Sequence, residues 1–477
     1  MAFPEKHNGL YTDHYELVMA QGYYLSGLNN YPACFDYFFR KNPFKGGYVV
    51  FAGLSDLVEI VENLKFDKTD LEFLASIGFE PDFLEYLSTF SFKGNIYSVK
   101  EGEIVFPNEP VLRIEGGLAE TQIIETMVLN ILNFESLIAT KACRMRYSAG
   151  DKVLMDFGLR RAQGFGGIHA SKAAVIGGFD QTSNVFSAFS FGLKSSGTMA
   201  HSWIQNFGDE LEAFRIFARH YPDNCVLLVD TYDTLKSGIP NAVKVAKELK
   251  KNGHKLAGIR LDSGDLAYLS KKSREMLDME GLDYVKIVAS NQLNEHVIRS
   301  LEHQKAPIDI FGVGTALVTG QDDPALDGVY KLSMSNHLPS MKFSENEAKE
   351  TLPGIKNILR FYDDQGKFLM DGVLLDYEKN GNTYFHPLKP EKKTNVSSLK
   401  RESLHHMVMD EGKRSNQFSN ISLEDIIENR KQRFNLLPEE YKRFENPHLY
   451  KVGISKELLN LKNKLKEEFS NESTDDS

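Results

Sequence analysis

Residues capable of chemistry gather in this chain just after short apolar runs. Residues 257–266 read AGIRLDSGDL, where Arg260, Asp262, Ser263, Gly264 and Asp265 break off an apolar segment. In the same way residues 226–229 lead to Asp230, Thr231, Tyr232 and Asp233, 285–289 to Ser290 and Asn291, and 308–313 to Gly314 and Thr315. His201 follows Ser195-Ser196-Gly197-Thr198-Met199-Ala200, whose small side chains let another group approach closely. A histidine with an aspartate beside it serves as nucleophile or general base, since the carboxylate fixes the ring's tautomer and steadies its cation. Asp230, Arg260 and Asp262 are the candidates to keep His201 company. A further source of charge is the loop 156–164, DFGLRRAQG, where Arg160 and Arg161 lie among glycines. Guanidinium groups bind phosphate or carboxylate in pairs, although a solvated charged turn has the same composition. Gly164, Gly166 and Gly167 lack the spacing of a dinucleotide fingerprint.

The elements between these bursts decide whether the residues meet. After 226–229, Ala242, Val245, Ala246 and Leu249 recur at helical spacing and Asn252-Gly253 supplies a stop; after 257–261, Leu266, Leu269, Ser273 and Leu277 line a helix that Gly281 ends. Strands alternating with helices predict parallel β/α units. Ligands of such folds gather at the carboxyl ends of the strands, so the polar exits predict one shared site.

The flanks read differently. Asp13 and Glu16 form a capping-box start for a helix carrying Leu17, Ala20 and Tyr24 on one face, with Tyr15 in its first turn. Residues 33–39 predict a strand running into Arg40, and 51–64, 70–77 and 82–90 predict helices. A β-rich piece over 104–114 precedes a long helical region, 121–147. Residues 153–155 and 173–176 read as strands, the second leading to Asp180. Beyond Thr315 come strands at 329–334 and 358–362, a turn-rich stretch at 363–400, and helices at 423–434 and 454–469. The domains expected are an α+β domain over 1–135 with contributions from the C-terminal part, a catalytic β/α domain over 136–335, and a C-terminal segment over 336–477 packing on both, its tail disordered from about 470.

Composition narrows the function classes. At 477 residues and 42% apolar the chain is large enough for two cores. A net charge of −10 argues against general nucleic-acid binding. Cys34, Cys143 and Cys225 are few and widely spaced, which predicts a reducing compartment and no structural zinc. The N-terminus has no apolar signal core and no apolar run of membrane-spanning length is expected, so the reading is a soluble cytoplasmic protein.

Assembled, these residues resemble the nicotinate phosphoribosyltransferase family. The resemblance rests on YTDHYELVMAQGYY at 11–24, FFRKNPFKGGYVVFAGL at 38–54, FGLRRAQG at 157–164, GGFDQTSN at 177–184, GTMAHSW at 197–203, VDTYDTLKSGIPNA at 229–242, GIRLDSGDL at 258–266, FGVGTALVT at 311–319 and KETLPGIKNILRFY at 349–362, in the family's order. It implies an N-terminal α+β domain joined to an irregular β/α barrel of the type II phosphoribosyltransferase kind, in a homodimer with sites at the subunit interface. The implied reaction joins nicotinate to phosphoribosyl pyrophosphate, coupled to ATP hydrolysis with Mg²⁺. By this resemblance Tyr15, from the partner subunit, and Phe157 sandwich the pyridine ring, while Thr198 and Arg260 hold nicotinate. Arg160 and Thr315 lie near the phosphoribosyl phosphate and Asp180 near the base. His201 matches the histidine that ATP phosphorylates, Asp230 the acid that orients it, and Asp262 suits stabilisation of a positive sugar. The alternatives are a nicotinamide phosphoribosyltransferase, a catalytically silent nucleotide-binding protein of the same fold, and, without the resemblance, a β/α-barrel aldolase or isomerase.

Overall fold

The computed structural model describes residues 6–344, 346–378 and 381–475. Two compact units emerge, one from residues 1–137 with 325–477, the other from 138–324.

The first unit is built on a seven-stranded antiparallel sheet in the order Leu338–Pro339, Gly328–Ser335, Pro32–Phe39, Leu112–Gly117, Asn95–Ser98, His406–Asp410, Lys413–Arg414. Its interior strand Pro32–Phe39 is buried along all but its first residue, which is why it reads as a continuous aromatic run rather than an alternating one. Phe35 stacks on Tyr330 of the neighbouring strand with ring centroids 4.7 Å apart. Because Gly328–Ser335 pairs with Pro32–Phe39, residues 325–335 belong to this unit and not to the β/α domain expected to reach 335. The capping box expected at Asp13 does not form: the Asp13 side chain caps nothing, and Glu16 accepts hydrogen bonds from the hydroxyls of Thr12 and Thr126 instead.

Residues 363–400, expected as turns, contribute Phe368–Leu375, Thr383–His386 and Lys389–Asn395 to a second sheet of six strands. The last of these is an exposed, lysine-rich edge strand, a composition that protects an edge and hides its strand character from a hydrophobic-pattern reading. The C-terminal helix runs Lys456–Asp475, so the tail expected to be irregular from Ser470 is helical through Asp475, and Asp476 and Ser477 lie outside the described residues. The stretch Leu118–Ala149 is long and apolar enough to cross a membrane by length and composition, against the expectation that no run is; 72% of its apolar window is buried within the molecule.

The second unit is a six-stranded, wholly parallel sheet in the order Gln181–Thr182, Val153–Asp156, Ile310–Val313, Lys286–Ser290, Gly258–Leu261, Val226–Leu228. Among the described residues no ladder joins Gln181–Thr182 to Val226–Leu228, which makes the barrel irregular. Helices Ile239–Lys251 and Leu266–Met279 follow their strands as expected and bury Ala242, Val245, Ala246 and Leu249 from the first and Ser273 and Leu277 from the second. Residues 173–176, expected as a strand, lie instead in the helix Gly166–Gly177. That helix is buried on nearly every face, so it shows no polar stripe and its period is invisible in sequence.

Candidate active site

Parallel pairing sets the carboxyl ends of the strands side by side, and the polar exits meet there. Arg260, the third residue of Gly258–Leu261, is buried, so its charge must be satisfied locally. Its Nε donates to Ser290 Oγ at 3.0 Å, and Nη1 to Thr198 Oγ1 at 2.7 Å and to the Met199 carbonyl at 3.0 Å. Nη2 donates to Asp262 Oδ1 at 3.1 Å. These bonds use four of the five donors of a guanidinium, leaving one Nη2 hydrogen free among the described residues. The same guanidinium lies 5.9 Å from the centre of the Phe157 ring. A Cβ at Gly312 would come within 2.4 Å of that ring, so only glycine on the neighbouring strand leaves Phe157 its place.

Asp262 is the hub. Its Oδ1 also accepts from the Ser290 hydroxyl, its carbonyl accepts from Asn291 Nδ2 at 2.9 Å, and its Oδ2 faces His201 Nε2 at 3.6 Å. Burial alone would raise this carboxyl, but the Ser290 hydrogen bond and the Arg260 and His201 charges outweigh it and hold the group below the usual carboxylate range. Asn291 and the following Gln292 both adopt positive φ, 75° and 51°, a tight turn at the strand exit that brings the Asn291 amide onto the Asp262 backbone.

His201 opens the helix His201–Phe207, with Nδ1 3.1 Å from Thr231 Oγ1. Asp230, expected to orient His201, is turned elsewhere: its Oδ2 accepts from Asp262 N at 2.8 Å and from Ser263 Oγ at 2.7 Å. The acid facing the imidazole is therefore Asp262, and Asp230 holds the turn that presents it. Asp230 Oδ1 is buried and, among the described residues, without a hydrogen-bond partner.

The remaining residues separate. Asp180 is not part of the cluster; it stands before Gln181–Thr182, at the amino end of that strand, where its carboxylate pairs with Arg146 and accepts from Leu154 N at 2.8 Å. Arg160 and Thr315 lie exposed just past the carboxyl ends of Val153–Asp156 and Ile310–Val313. Tyr15 belongs to the first unit, half-exposed, and burial together with Glu125 and Glu16 pushes its phenol upward. Two ligands of the cluster were legible only as strand exits, Ser290 and Thr231, whose hydroxyls bind Arg260 and His201. Asp156, fully buried, organises the arginine loop: it accepts from Gly158 N and from the hydroxyls of Ser171 and Thr182 at 2.7–2.8 Å, and burial keeps its carboxyl raised despite them.

A buried guanidinium, an open-faced histidine and a lowered carboxylate at one end of a parallel sheet form an enzyme-type site for an anionic substrate. The family model described as "Nicotinate phosphoribosyltransferase (NAPRTase) family" matches residues 153–337, and models of its N-terminal and C-terminal domains match 10–133 and 355–462. A nicotinate phosphoribosyltransferase of Bacillus subtilis (strain 168) is 42% identical, over 98% of this chain and 99% of its own. One of Homo sapiens is 30% identical over 96% of each. The crystal structure of human nicotinic acid phosphoribosyltransferase superposes with a TM-score of 0.85 at 28% identity, covering 95% of this chain and 99% of that one. The chain belongs to the nicotinate phosphoribosyltransferase family.

Proposed function

We propose that this enzyme joins nicotinate to the ribose carbon of phosphoribosyl pyrophosphate, giving nicotinate mononucleotide and pyrophosphate in NAD biosynthesis, and that ATP drives the reaction through a phosphorylated His201. The observation that carries the reading is the Arg260 fork: a buried, fully oriented guanidinium, paired on one side with Asp262 and with one Nη2 donor left for a carboxylate, directly beside Phe157 and Thr198. Nicotinate offers an anionic carboxylate and a flat ring, which this corner suits better than a neutral amide.

In the tautomer that donates Nδ1–H to Thr231 Oγ1, the His201 ring presents its Nε2 lone pair. Attack on the γ-phosphorus of ATP forms an N–P bond and breaks the bond to the bridging oxygen, which leaves with ADP; water later takes the phosphoryl group and regenerates the imidazole. Asp262 pairs with the ring when it is cationic, and its own charge is shared with Arg260 and Ser290, which limits repulsion of the incoming phosphate. In the transfer step the nicotinate nitrogen bonds to the ribose carbon as pyrophosphate leaves, and Asp262 faces the positive charge that develops on the sugar. Arg160 and Thr315, open at the strand ends, are placed to bind the phosphate of the ribose. The unpartnered Asp230 Oδ1 suits a hard cation; Mg²⁺ bound there would supply neutralisation of the departing pyrophosphate.

Apolar side chains left open support a homodimer. Helix Val185–Phe191 exposes Phe189 at 88%, Phe165 is exposed at 80%, and the first unit exposes Tyr15, Val18 and Leu25 on one helix. We read both as faces for a second copy, which would bring Tyr15 of that copy onto the nicotinate ring opposite Phe157. Three buried free cysteines accord with a cytoplasmic location.

The test is mononucleotide formation from phosphoribosyl pyrophosphate and Mg²⁺, with nicotinate or nicotinamide, each with and without ATP. Product from nicotinate, increased by ATP, is expected. Product from nicotinamide alone would assign the sister activity, and none from either would point to a silent nucleotide-binding protein.

A further inference from the structure

In the first unit, the strand His406–Asp410 passes Asn95–Ser98 with a bulge: the register steps from Met407 opposite Tyr97 to Met409 opposite Ile96. A bulge bends its strand and re-aims side chains. Here it borders a cavity of about 490 Å³ between that strand, the start of helix Leu54–Glu62 and helix Leu423–Leu436. The volume lies within the range of small-molecule sites. Leu54, Val99, Val408, Phe418 and Ile426 make much of its wall apolar.

Most of the charged groups at this cavity already have partners. Glu101 is spent on the helix start, accepting from Gly53 N at 2.7 Å and Ser55 N at 3.0 Å, and also from the Ser55 hydroxyl. Asp425 closes the capping box with Ser422. Arg414 is held by Glu62 at 2.7 Å. Lys100 and His406 remain, and among the described residues neither side chain has a hydrogen-bond or ion-pair partner. Burial first and Lys100 second depress the His406 ring; Glu402 and Glu103 act in the opposite sense, but both carboxylates are already bound to Arg433, and Glu103 to Arg360 as well.

We propose that this cavity is a second small-molecule site, taking an organic anion whose charged group sits between Lys100 and His406 and whose apolar body lies against Val99, Phe418 and Ile426. Every residue in it comes from the first unit, so the proposal is independent of the reaction assigned to the strand ends of the second. A carboxylate and a phosphate monoester share the required chemistry.

Met407 lines the cavity and reports on it. The full chain, labelled with ¹³C-methyl methionine and with the Met407 signal identified by its loss in Met407→Leu, is titrated with phenylacetate and with phenyl phosphate. Saturable movement of the Met407 signal with either probe is expected, one arm alone identifying the preferred head group. The affinity falls about tenfold or more in Lys100→Ala and in His406→Ala, and nicotinate KM is unchanged in Lys100→Ala. Lys100 is exposed, so its variants keep the fold; Lys100→Glu abolishes the response. A Met407 signal unmoved by both probes, or equal affinity in wild type, Lys100→Ala and His406→Ala, overturns the proposal.

Discussion

Arg260 contributes geometry as well as charge. A lysine there would keep the charge but place one point donor where a planar fork now serves Ser290, Thr198, Met199 and Asp262. Arg260→Lys is expected to lower kcat/KM for nicotinate about a hundredfold, ~2.7 kcal/mol of transition-state stabilisation; steady-state kinetics with nicotinate varied checks it, and a near wild-type value would contradict the fork's role. At this scale the sequence was informative wherever position on a strand decides direction. Arg260, Asp262, Asp230 and His201 were readable as one group because parallel strands share an end, whereas Thr198 entered only through the family resemblance. The partner of Asp180 was not legible, because nothing in GGFDQTSN announces Arg146, 34 residues earlier. Asp262 stands where Asp230 was expected, facing His201, because which of two nearby acids meets an imidazole depends on a turn that spacing does not specify.

Among the elements, the connection after Val226–Leu228 is the most constrained. Asp233 accepts from Leu235 N and Lys236 N and starts one turn of π-helix, Thr234–Gly238, before the helix Ile239–Lys251. π-Turns of this kind are found at functional sites. A Cβ at Gly238 would lie 1.9 Å from the Val229 carbonyl, next to Asp230. Gly238→Ala should cost about 1–3 kcal/mol of stability, read as a lowered urea midpoint, and should lower kcat as well, because the displaced Val229 carries Asp230 and so the Asp262 turn with it. A variant with wild-type stability and rate would show that this contact is not needed. The strands and amphipathic helices of the second unit were legible because each has one polar face or one polar end. Gly166–Gly177 was not, being buried all round, and neither was Lys389–Asn395, whose lysines describe an edge rather than a core.

For the whole molecule, the boundary missed in sequence is a matter of pairing: Gly328–Ser335 is a good strand in either domain, and only its ladder with Pro32–Phe39 assigns it. The first unit also carries a pH-dependent term. The His405 ring, with Nε2 2.6 Å from the Pro110 carbonyl, is pushed down to about 3 by burial and then by Arg113. The unfolded chain takes up a proton near 6.5 that the folded chain refuses. Stability from this group is therefore full above about 6.5 and falls as pH drops toward 3, by at most ~1.4 kcal/mol per pH unit. His405→Gln should flatten the fall of the urea midpoint between those limits; an unchanged slope would locate the acid sensitivity elsewhere.

Coupling of ATP to glycosyl transfer through His201 is tested most directly by phosphoryl labelling. Incubated with γ-³²P-ATP and Mg²⁺, the wild-type enzyme should take up an acid-labile, base-stable label that nicotinate and phosphoribosyl pyrophosphate together discharge, while His201→Ala takes up none and makes mononucleotide at a rate ATP no longer raises. A label retained by His201→Ala, or ATP stimulation surviving in that variant, would contradict the account.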